Sequence, residues 1–187
     1  LNDQRRRFIS SPDIVLQPNS VESVQKIMRF CFENRIRVTP QGGNTGLCGA
    51  TVTTEGVLLN LSKLNRIRDI NLADNSMTVE AGVILQNAQK AATEAGRLFP
   101  LSLASEGSCQ IGGNIACNAG GLNVLRYGSM RDLVLGLEVV LPNGELVSHL
   151  QPLHKNTTGY DLRHLFIGSE GTLGIITAAT PKLFAQP

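Results

Sequence analysis

Backbone amides, more than reactive side chains, are what this sequence offers to chemistry. Three glycine-rich stretches stand far apart in it: Gln41-Gly42-Gly43-Asn44-Thr45-Gly46, Gly112-Gly113-Asn114 through Gly120-Gly121, and Gly168-Ser169-Glu170-Gly171-Thr172-Leu173-Gly174. A residue without Cβ lets main-chain N–H groups approach an anion closely, so such loops hold phosphate with few cationic side chains. Each stretch adjoins an apolar β-like run, which points to one long ligand threaded over several loops. Two nucleotide signatures are excluded. Gly46 is followed by Leu47-Cys48 where a phosphate loop needs Lys-Ser or Lys-Thr, and the adjacent glycines of the first stretch break the Gly-x-Gly-x-x-Gly fingerprint. The side chains of Gln41, Asn44 and Thr45 add donors suited to a pyrophosphate. The small residues between Gly112 and Gly121 would let a flat ring lie against the backbone, with the amides of Asn114 and Asn118 at its polar edge. Small residues serve a close helix-to-sheet contact equally well. The glycines of the third stretch sit beside a strand and signal a near neighbour, either ligand or backbone.

Other chemistry-bearing side chains are sparse. His149, His154 and His164 are the only imidazoles, and their spacing fits neither a two-histidine zinc helix nor a nucleophile–base pair. They read as surface or loop histidines, His149 just past a hairpin strand. Cys31, Cys48, Cys109 and Cys117 contain no Cys-x-x-Cys pair, so they read as buried or loop thiols in a reducing compartment rather than as zinc ligands or a disulfide framework. Arg5-Arg6-Arg7 reads as a solvated helical turn. Tyr127 and Tyr160 each adjoin glycine, a setting for loop aromatics near a ligand, though core packing suits Tyr160 as well. Arg126 is a candidate to offset phosphate or substrate charge.

The elements that must position the three stretches follow from periodicity. Asp13 to Gln17 predicts a short buried strand closed by Pro18. Asn19 or Ser20 then caps a helix with Val21, Val24, Ile27, Met28 and Cys31 on one face, and Asn34 is its left-handed stop. Arg35 to Thr39 predicts the next strand, which Pro40 ends, and the first glycine stretch follows directly. In a parallel sheet built by such crossovers, ligands sit outside the carboxyl ends of strands. Gly56 to Leu61 predicts a third strand. Hairpin grammar then takes over: Arg66 to Ile70, a turn at residues 73–76, and Met77 to Ala81. A helix with Leu85, Ala88, Ala91, Ala92 and Ala95 inward ends at Gly96. Leu137 to Leu141 and Glu145 to Val147 flank Pro142-Asn143-Gly144, a tight-turn signal, and Leu173 to Thr177 predicts a last strand. The reading is an α+β fold, with a small parallel-sheet lobe over about residues 1–62 and a larger, mostly antiparallel lobe over about 63–187.

The 187 residues can bury an adequate core without disulfide or metal staples. With 42% apolar and 17% charged residues, disorder is disfavoured, and no apolar run nears the ~20 residues of a membrane span. A soluble, cytoplasmic protein, with peripheral attachment to a membrane left open, is the expectation. A net charge of +2 with no tryptophan disfavours nucleic acid as a partner. Leu1 in place of Met, and Gln186-Pro187 shortly after a strand pattern, read as cut ends of a longer protein.

Residues 40–46, 107–121, Arg126-Tyr127-Gly128, 156–162 and 168–177 together resemble the FAD-binding domain of the vanillyl-alcohol oxidase superfamily, most closely its D-2-hydroxyglutarate dehydrogenase, D-lactate dehydrogenase and glycolate oxidase branch. The match covers nearly the whole chain in order and spacing. The resemblance implies two α+β lobes with FAD extended between them, and a C-terminal substrate domain outside these 187 residues. It puts the pyrophosphate loop on Pro40, Gln41, Gly42, Gly43, Asn44, Thr45 and Gly46. The flavin-side segment falls on Ser108, Gly112, Gly113, Cys117, Asn118, Ala119, Gly120 and Gly121, and a third FAD segment on Glu170, Gly171, Thr172, Leu173, Gly174, Ile175 and Ile176. Some relatives bond flavin through a histidine at the position of Asn44; an amide is no such nucleophile, so noncovalent FAD is expected. The implied reaction is oxidation of a D-2-hydroxy acid, such as D-lactate, D-2-hydroxyglutarate or glycolate, to the 2-oxo acid, with electrons leaving to an unknown acceptor. The base, metal ligands and substrate-binding arginine of the relatives lie in the C-terminal domain, so no catalytic residue is assigned here and the chain alone is expected to be inactive. An ether-lipid synthase with the same fold shares Gly-Ser-Glu-Gly-Thr-Leu-Gly but not Gly-Asn-Ile-Ala-Cys-Asn-Ala-Gly-Gly. A noncatalytic interaction module is the remaining alternative.

Overall fold

A computed structural model describes residues 7–187. Arg5 and Arg6 of the basic triplet lie outside the described residues, and Arg7 sits in irregular chain instead of a helical turn.

The first lobe is a three-stranded parallel sheet in the order β1-β3-β2, formed by Ile14–Leu16 (β1), Val38–Gln41 (β2) and Val57–Asn60 (β3). Its crossover helix α1, Val21–Glu33, starts at Ser20, whose hydroxyl accepts from the Ser23 N–H at 3.2 Å. Val24, Met28 and Cys31, one turn apart, are its buried stripe. The helix stops where the Asn34 side chain donates to the Phe30 carbonyl at 2.8 Å. The left-handed residue is Arg35 (φ 55°), not Asn34 (φ −99°), because the Asn34 amide spends its hydrogen bond on the helix end. β1 is not the buried strand its composition suggests: as an edge strand it leaves Ile14 49% and Val15 43% exposed. β2 starts at Val38 and runs through Pro40 instead of ending before it. The Arg37 and Gln41 carbonyls accept from β3, so by alternation Pro40 turns its nitrogen to the outer edge, where the missing N–H breaks no ladder bond.

The second lobe is a five-stranded antiparallel sheet in the order β4-β5-β9-β7-β8. Its strands are Ile67–Asn71 (β4), Ser76–Glu80 (β5), Val134–Val140 (β7), Leu146–His149 (β8) and Ile175–Pro181 (β9). Arg97–Leu98 (β6) and Phe184–Ala185 (β10) pair beside it. The β4–β5 turn is held by Asn71 Oδ1, which accepts from the N–H groups of Ala73 and Asp74 at 3.0 and 3.1 Å. Every residue of the central strands β7 and β9 is buried. Neither strand alternates between buried and exposed positions, and the polar side chains they carry, Glu138, Thr177 and Thr180, are buried with the rest. β9 begins two residues later than Leu173 and continues to Pro181, while His149 closes β8 instead of following it. Helices α2 (Leu85–Glu94), α3 (Ile111–Ala116), α4 (Val124–Tyr127), α5 (Met130–Leu133) and α6 (Arg163–Phe166) fill the connections. The buried face of α2 is Leu85, Ala88 and Ala92.

The lobes share one core, in which Val24 and Met28 of α1 join Val139 and Ile175 of the large sheet. The α1 helix lies on the β7–β8 turn, where Gln25 Nε2 donates to the Gly144 carbonyl at 3.1 Å. On the same sheet, Glu80 and Glu138 are buried and ion-paired. Arg66 donates to Glu80 at 2.9 Å, and Arg68 donates to Glu80 at 3.3 Å and to Glu138 at 3.1 Å. Thr177 Oγ1 adds a bond to Glu138 at 2.9 Å. Burial alone would raise the Glu80 carboxyl, but hydrogen bonds from Arg66 and the charges of Arg66 and Arg68 outweigh it and hold it below its ordinary value. Among the described residues no helix is long and apolar enough to cross a membrane.

Candidate functional site

Glycines bring the three sequence stretches into contact. A Cβ on Gly43 would overlap the Ser108 carbonyl, and one on Gly171 would overlap the Pro40 ring. The first stretch thus packs on the segment that leads into the second, and the third packs on the proline before the first, at distances only glycine permits. Between them lies a cleft whose empty space, counted together with the part open to solvent, is about 590 Å³. Pro40, Gln41 and Gly42 line it from the end of β2; Gly112, Gly113 and Cys117 from α3 and its cap; and Glu170, Gly171, Gly174, Ile175 and Ile176 from the approach to β9. Ala50, Thr51, Leu61, Ala81 and Ala116 complete the wall.

The remaining predicted residues stand behind this wall or beside it. Gly43 packs on Ser108, whose hydroxyl donates to the Ser105 carbonyl at 3.3 Å. Asn44 Oδ1 accepts from Thr51 Oγ1 at 2.7 Å, bracing the loop. Thr45 and Gly46 lie further out, Gly46 exposed with no atom near its missing Cβ. Asn118 Oδ1 accepts from the Arg131 N–H at 2.9 Å and fixes the start of α5. Ala119 bonds back to the Asn114 carbonyl at 2.8 Å, Gly120 faces Val124, and Gly121 approaches Ser102. Thr172 Oγ1 donates to the Ser169 carbonyl at 2.7 Å, and Leu173 is 46% exposed, outside the cleft. One non-glycine residue of each stretch has left-handed backbone: Asn44 (φ 52°), Asn118 (φ 49°) and Glu170 (φ 52°). Non-glycine residues with such φ gather where a site over-determines the chain.

Three buried amides carry atoms with no hydrogen-bond partner among the described residues: Gln41 Nε2, in the cleft wall, and Gln110 Oε1 and Asn114 Nδ2, on either side of the Gly112-Gly113 pair that lines it. Each residue is more than nine-tenths buried. Orphaned buried polar atoms are rare in finished structures, and their clustering at one cleft points to a ligand that completes them. Gln110 was not among the predicted site residues. Its one signal is that it stands alone as a polar residue between Cys109 and Ile111, just before a glycine pair. Gly113 adds a second mark, since a Cβ there would meet nothing and project into open space. The Cys117 thiol is pushed up, first by burial of its sulfur and then by the nearby charges of Glu170 and Cys48.

The four cysteines are free: Cys31 and Cys109 are buried, Cys48 and Cys117 exposed. His149, His154 and His164 are all exposed. Among the described residues no three His, Cys, Asp or Glu side chains gather as a metal site. Tyr160 is 95% exposed, whereas Tyr127 packs edge-on against Phe184 with ring centroids 4.8 Å apart, and Arg126 lies over the Tyr127 ring.

Comparison with known proteins places this geometry in a family. The model of the FAD binding domain matches residues 12–149. The chain is 44% identical, over 99% of its length, to a D-2-hydroxyglutarate–pyruvate transhydrogenase of Saccharomyces cerevisiae, of which it covers 38%. It is 47% identical over 99% of its length to a D-2-hydroxyglutarate dehydrogenase of Xanthomonas citri pv. viticola, covering 39% of that protein. The chain thus spans about two-fifths of the length of these relatives. A solved structure of alkyldihydroxyacetonephosphate synthase superposes with a TM-score of 0.83 at 23% identity, over 96% of this chain and 32% of that one, which establishes a common fold.

Proposed function

Because the chain belongs to the FAD binding domain family, we propose that it is the cofactor-holding part of an oxidoreductase that converts a D-2-hydroxy acid to the 2-oxo acid. FAD is the cofactor of the domain. The observation that carries the reading is the cleft on which all three glycine stretches converge, with three orphaned buried amides around it. The residues fit the group: a glycine cradle, apolar walls and unpaired amides suit a long ligand with flat rings and polar edges. The proposed cofactor set comprises Pro40 to Gly46, then Ser108, Gly112, Gly113 and Cys117 to Gly121, then Glu170 to Ile176. Those lining the cleft touch the cofactor and the others hold the loops that do.

Bound FAD supplies the two-electron acceptor that amino-acid side chains lack. This chain's own residues bind, orient and screen: Leu61, Ala81, Ile175 and Ile176 exclude water, and the Thr51–Asn44 bond keeps the first loop in its left-handed turn. Attachment is noncovalent. The amide of Asn44 is no nucleophile, and the raised pKa of Cys117 keeps it a thiol near neutral pH. The two lobes, about residues 1–62 and 63–187, form one FAD-binding domain, and substrate contacts, base and metal ligands belong to a C-terminal domain outside this sequence. The hydroxy-acid class rests on relatives named for D-2-hydroxyglutarate at 44–47% identity, against 23% for the synthase. Composition supports a cytoplasmic setting; relatives of Danio rerio and Bos taurus are named mitochondrial.

Two measurements test this. Purified chain loaded with FAD is expected to bind it weakly and to release all yellow, fluorescent flavin on heating; flavin left on the denatured polypeptide would refute noncovalent attachment. These 187 residues with FAD and a dye acceptor are expected not to oxidise D-lactate or D-2-hydroxyglutarate. Turnover would place the missing groups inside this chain.

A further inference from the structure

We infer that Asn60 is a positioning residue for the cofactor: it turns the Gln41 side chain so that an N–H, and not the amide oxygen, faces the cleft, and the ligand atom that meets Gln41 is therefore a hydrogen-bond acceptor. The inference rests on the FAD reading above and adds to it a residue outside the cleft wall and the polarity which that residue imposes.

The strand ends supply the geometry. β1, β3 and β2 run parallel, and at their carboxyl ends stand Gln17, just past Leu16, then Asn60 and Gln41. Asn60 and Gln41 are register partners, so their side chains leave neighbouring strands on the same face of the sheet. The three amides form a ladder from exposed Gln17 through half-buried Asn60 to buried Gln41. Gln17 Nε2 donates to Asn60 Oδ1 at 3.3 Å, and Asn60 Nδ2 donates to Gln41 Oε1 at 3.2 Å.

An amide side chain keeps its shape when turned end for end, so its direction is settled by neighbours whose roles are fixed. Asn60 has such neighbours on both sides. The Ser62 backbone N–H, which only donates, lies 3.1 Å from Asn60 Oδ1, and the Gly42 carbonyl, which only accepts, lies 3.5 Å from Asn60 Nδ2. Ser62 Oγ donates a further bond to Oδ1 at 2.5 Å. Reversed, Asn60 would set its NH2 against an N–H and its oxygen against a carbonyl. Its NH2 therefore faces Gln41, whose oxygen turns to receive it. Gln41 Nε2 is left without a partner among the described residues, on a side chain that lines the cleft and is more than nine-tenths buried. A buried donor held in that direction is completed by an acceptor, whereas a ligand N–H there would leave both groups unsatisfied. Asn60 is not part of the cleft wall, so its action passes through Gln41, as a support fixes a contact residue.

The test is Asn60→Asp, which keeps the shape and removes the donor. Gln41 should then turn its NH2 to the new carboxylate and show its oxygen to the cofactor, and FAD affinity, read from flavin fluorescence, should fall about tenfold. A carboxylate also repels anionic FAD by charge alone, so the same substitution is made in a Gln41→Leu background. Action through Gln41 predicts no further loss there. A loss as large in that background, or one under about twofold without it, overturns the inference while FAD binding stands. If Asn60→Asp fails to fold, the isotopically labelled unaltered chain decides. Addition of FAD is expected to shift the side-chain NH2 resonances of Gln41 far more than those of Asn60, which are paired already; Gln41 resonances that stay in place as FAD binds overturn the inference. Failure of FAD to bind the unaltered chain overturns the FAD reading and this one together.

Discussion

Two buried polar clusters, one on the large sheet and one where the two lobes meet, are finished to different degrees. On the large sheet, Glu80 and Glu138 are matched by Arg66, Arg68 and Thr177 until each carboxylate has partners. At the cleft, Gln41, Gln110 and Asn114 are as deeply buried, yet each keeps an unpaired atom. Charges left incomplete in the interior would unfold a small domain, whereas incomplete amides cost far less. The fold completes the expensive cluster itself and leaves the cheaper one open, as the proposed cofactor site requires. A satisfied network marks architecture, and an unsatisfied one marks function.

The comparison breaks most sharply at Arg68. Arg68→Met removes the arginine paired with Glu138 and one of the two paired with Glu80 and is expected to destabilise the chain by on the order of 3 kcal/mol, read from its urea midpoint; a loss under about 1 kcal/mol would mean that the cluster is not structural. Acid tests the same cluster. The Glu80 carboxyl is held below its ordinary value of 4.5, so the folded state takes up its proton less readily than the unfolded chain. Its stabilisation is complete above that value and is lost as pH falls through the lower, folded one. Thermal melts should therefore be flat near neutrality and fall on acidification below 4.5, and the fall should shrink in Arg68→Met. At the cleft the effects reverse. Gly113→Ala adds a methyl where nothing stands and removes a helix glycine, so the free chain should gain up to about 1 kcal/mol while FAD affinity drops. Asn114→Leu should leave the free chain within about 1 kcal/mol of the original, or slightly stabilise it, because an orphaned amide is removed. A loss of several kcal/mol there would show that Asn114 has a structural partner.

Much of this was legible in the sequence where the cause is local. Ser20 caps a helix by its own hydroxyl, Asn143-Gly144 turns a hairpin through its own φ, and the stripe of Val24, Met28 and Cys31 needs only the helical period. What stayed hidden depends on neighbours far along the chain. Pro40 inside a strand is acceptable only because β2 is an edge with its free side at that residue. Ile14 and Val15 read as buried until the sheet shows no strand among the described residues beyond β1. The glycine stretches announced a site, and their convergence follows from the contacts of Gly43 with Ser108 and Gly171 with Pro40. Gln110 could not be picked out from sequence, since its significance is the absence of a partner, a property of the folded surroundings. The bond from the Arg131 N–H to Asn118 Oδ1 was hidden in the same way, since it joins residues thirteen apart.

Pro40 carries one more consequence. The outer side of β2 is a free strand edge, the kind of surface on which stray chains add themselves and proteins clump. With no N–H to give at that residue, and with Gly171 pressed against its ring, the edge offers a recruiting strand a broken template.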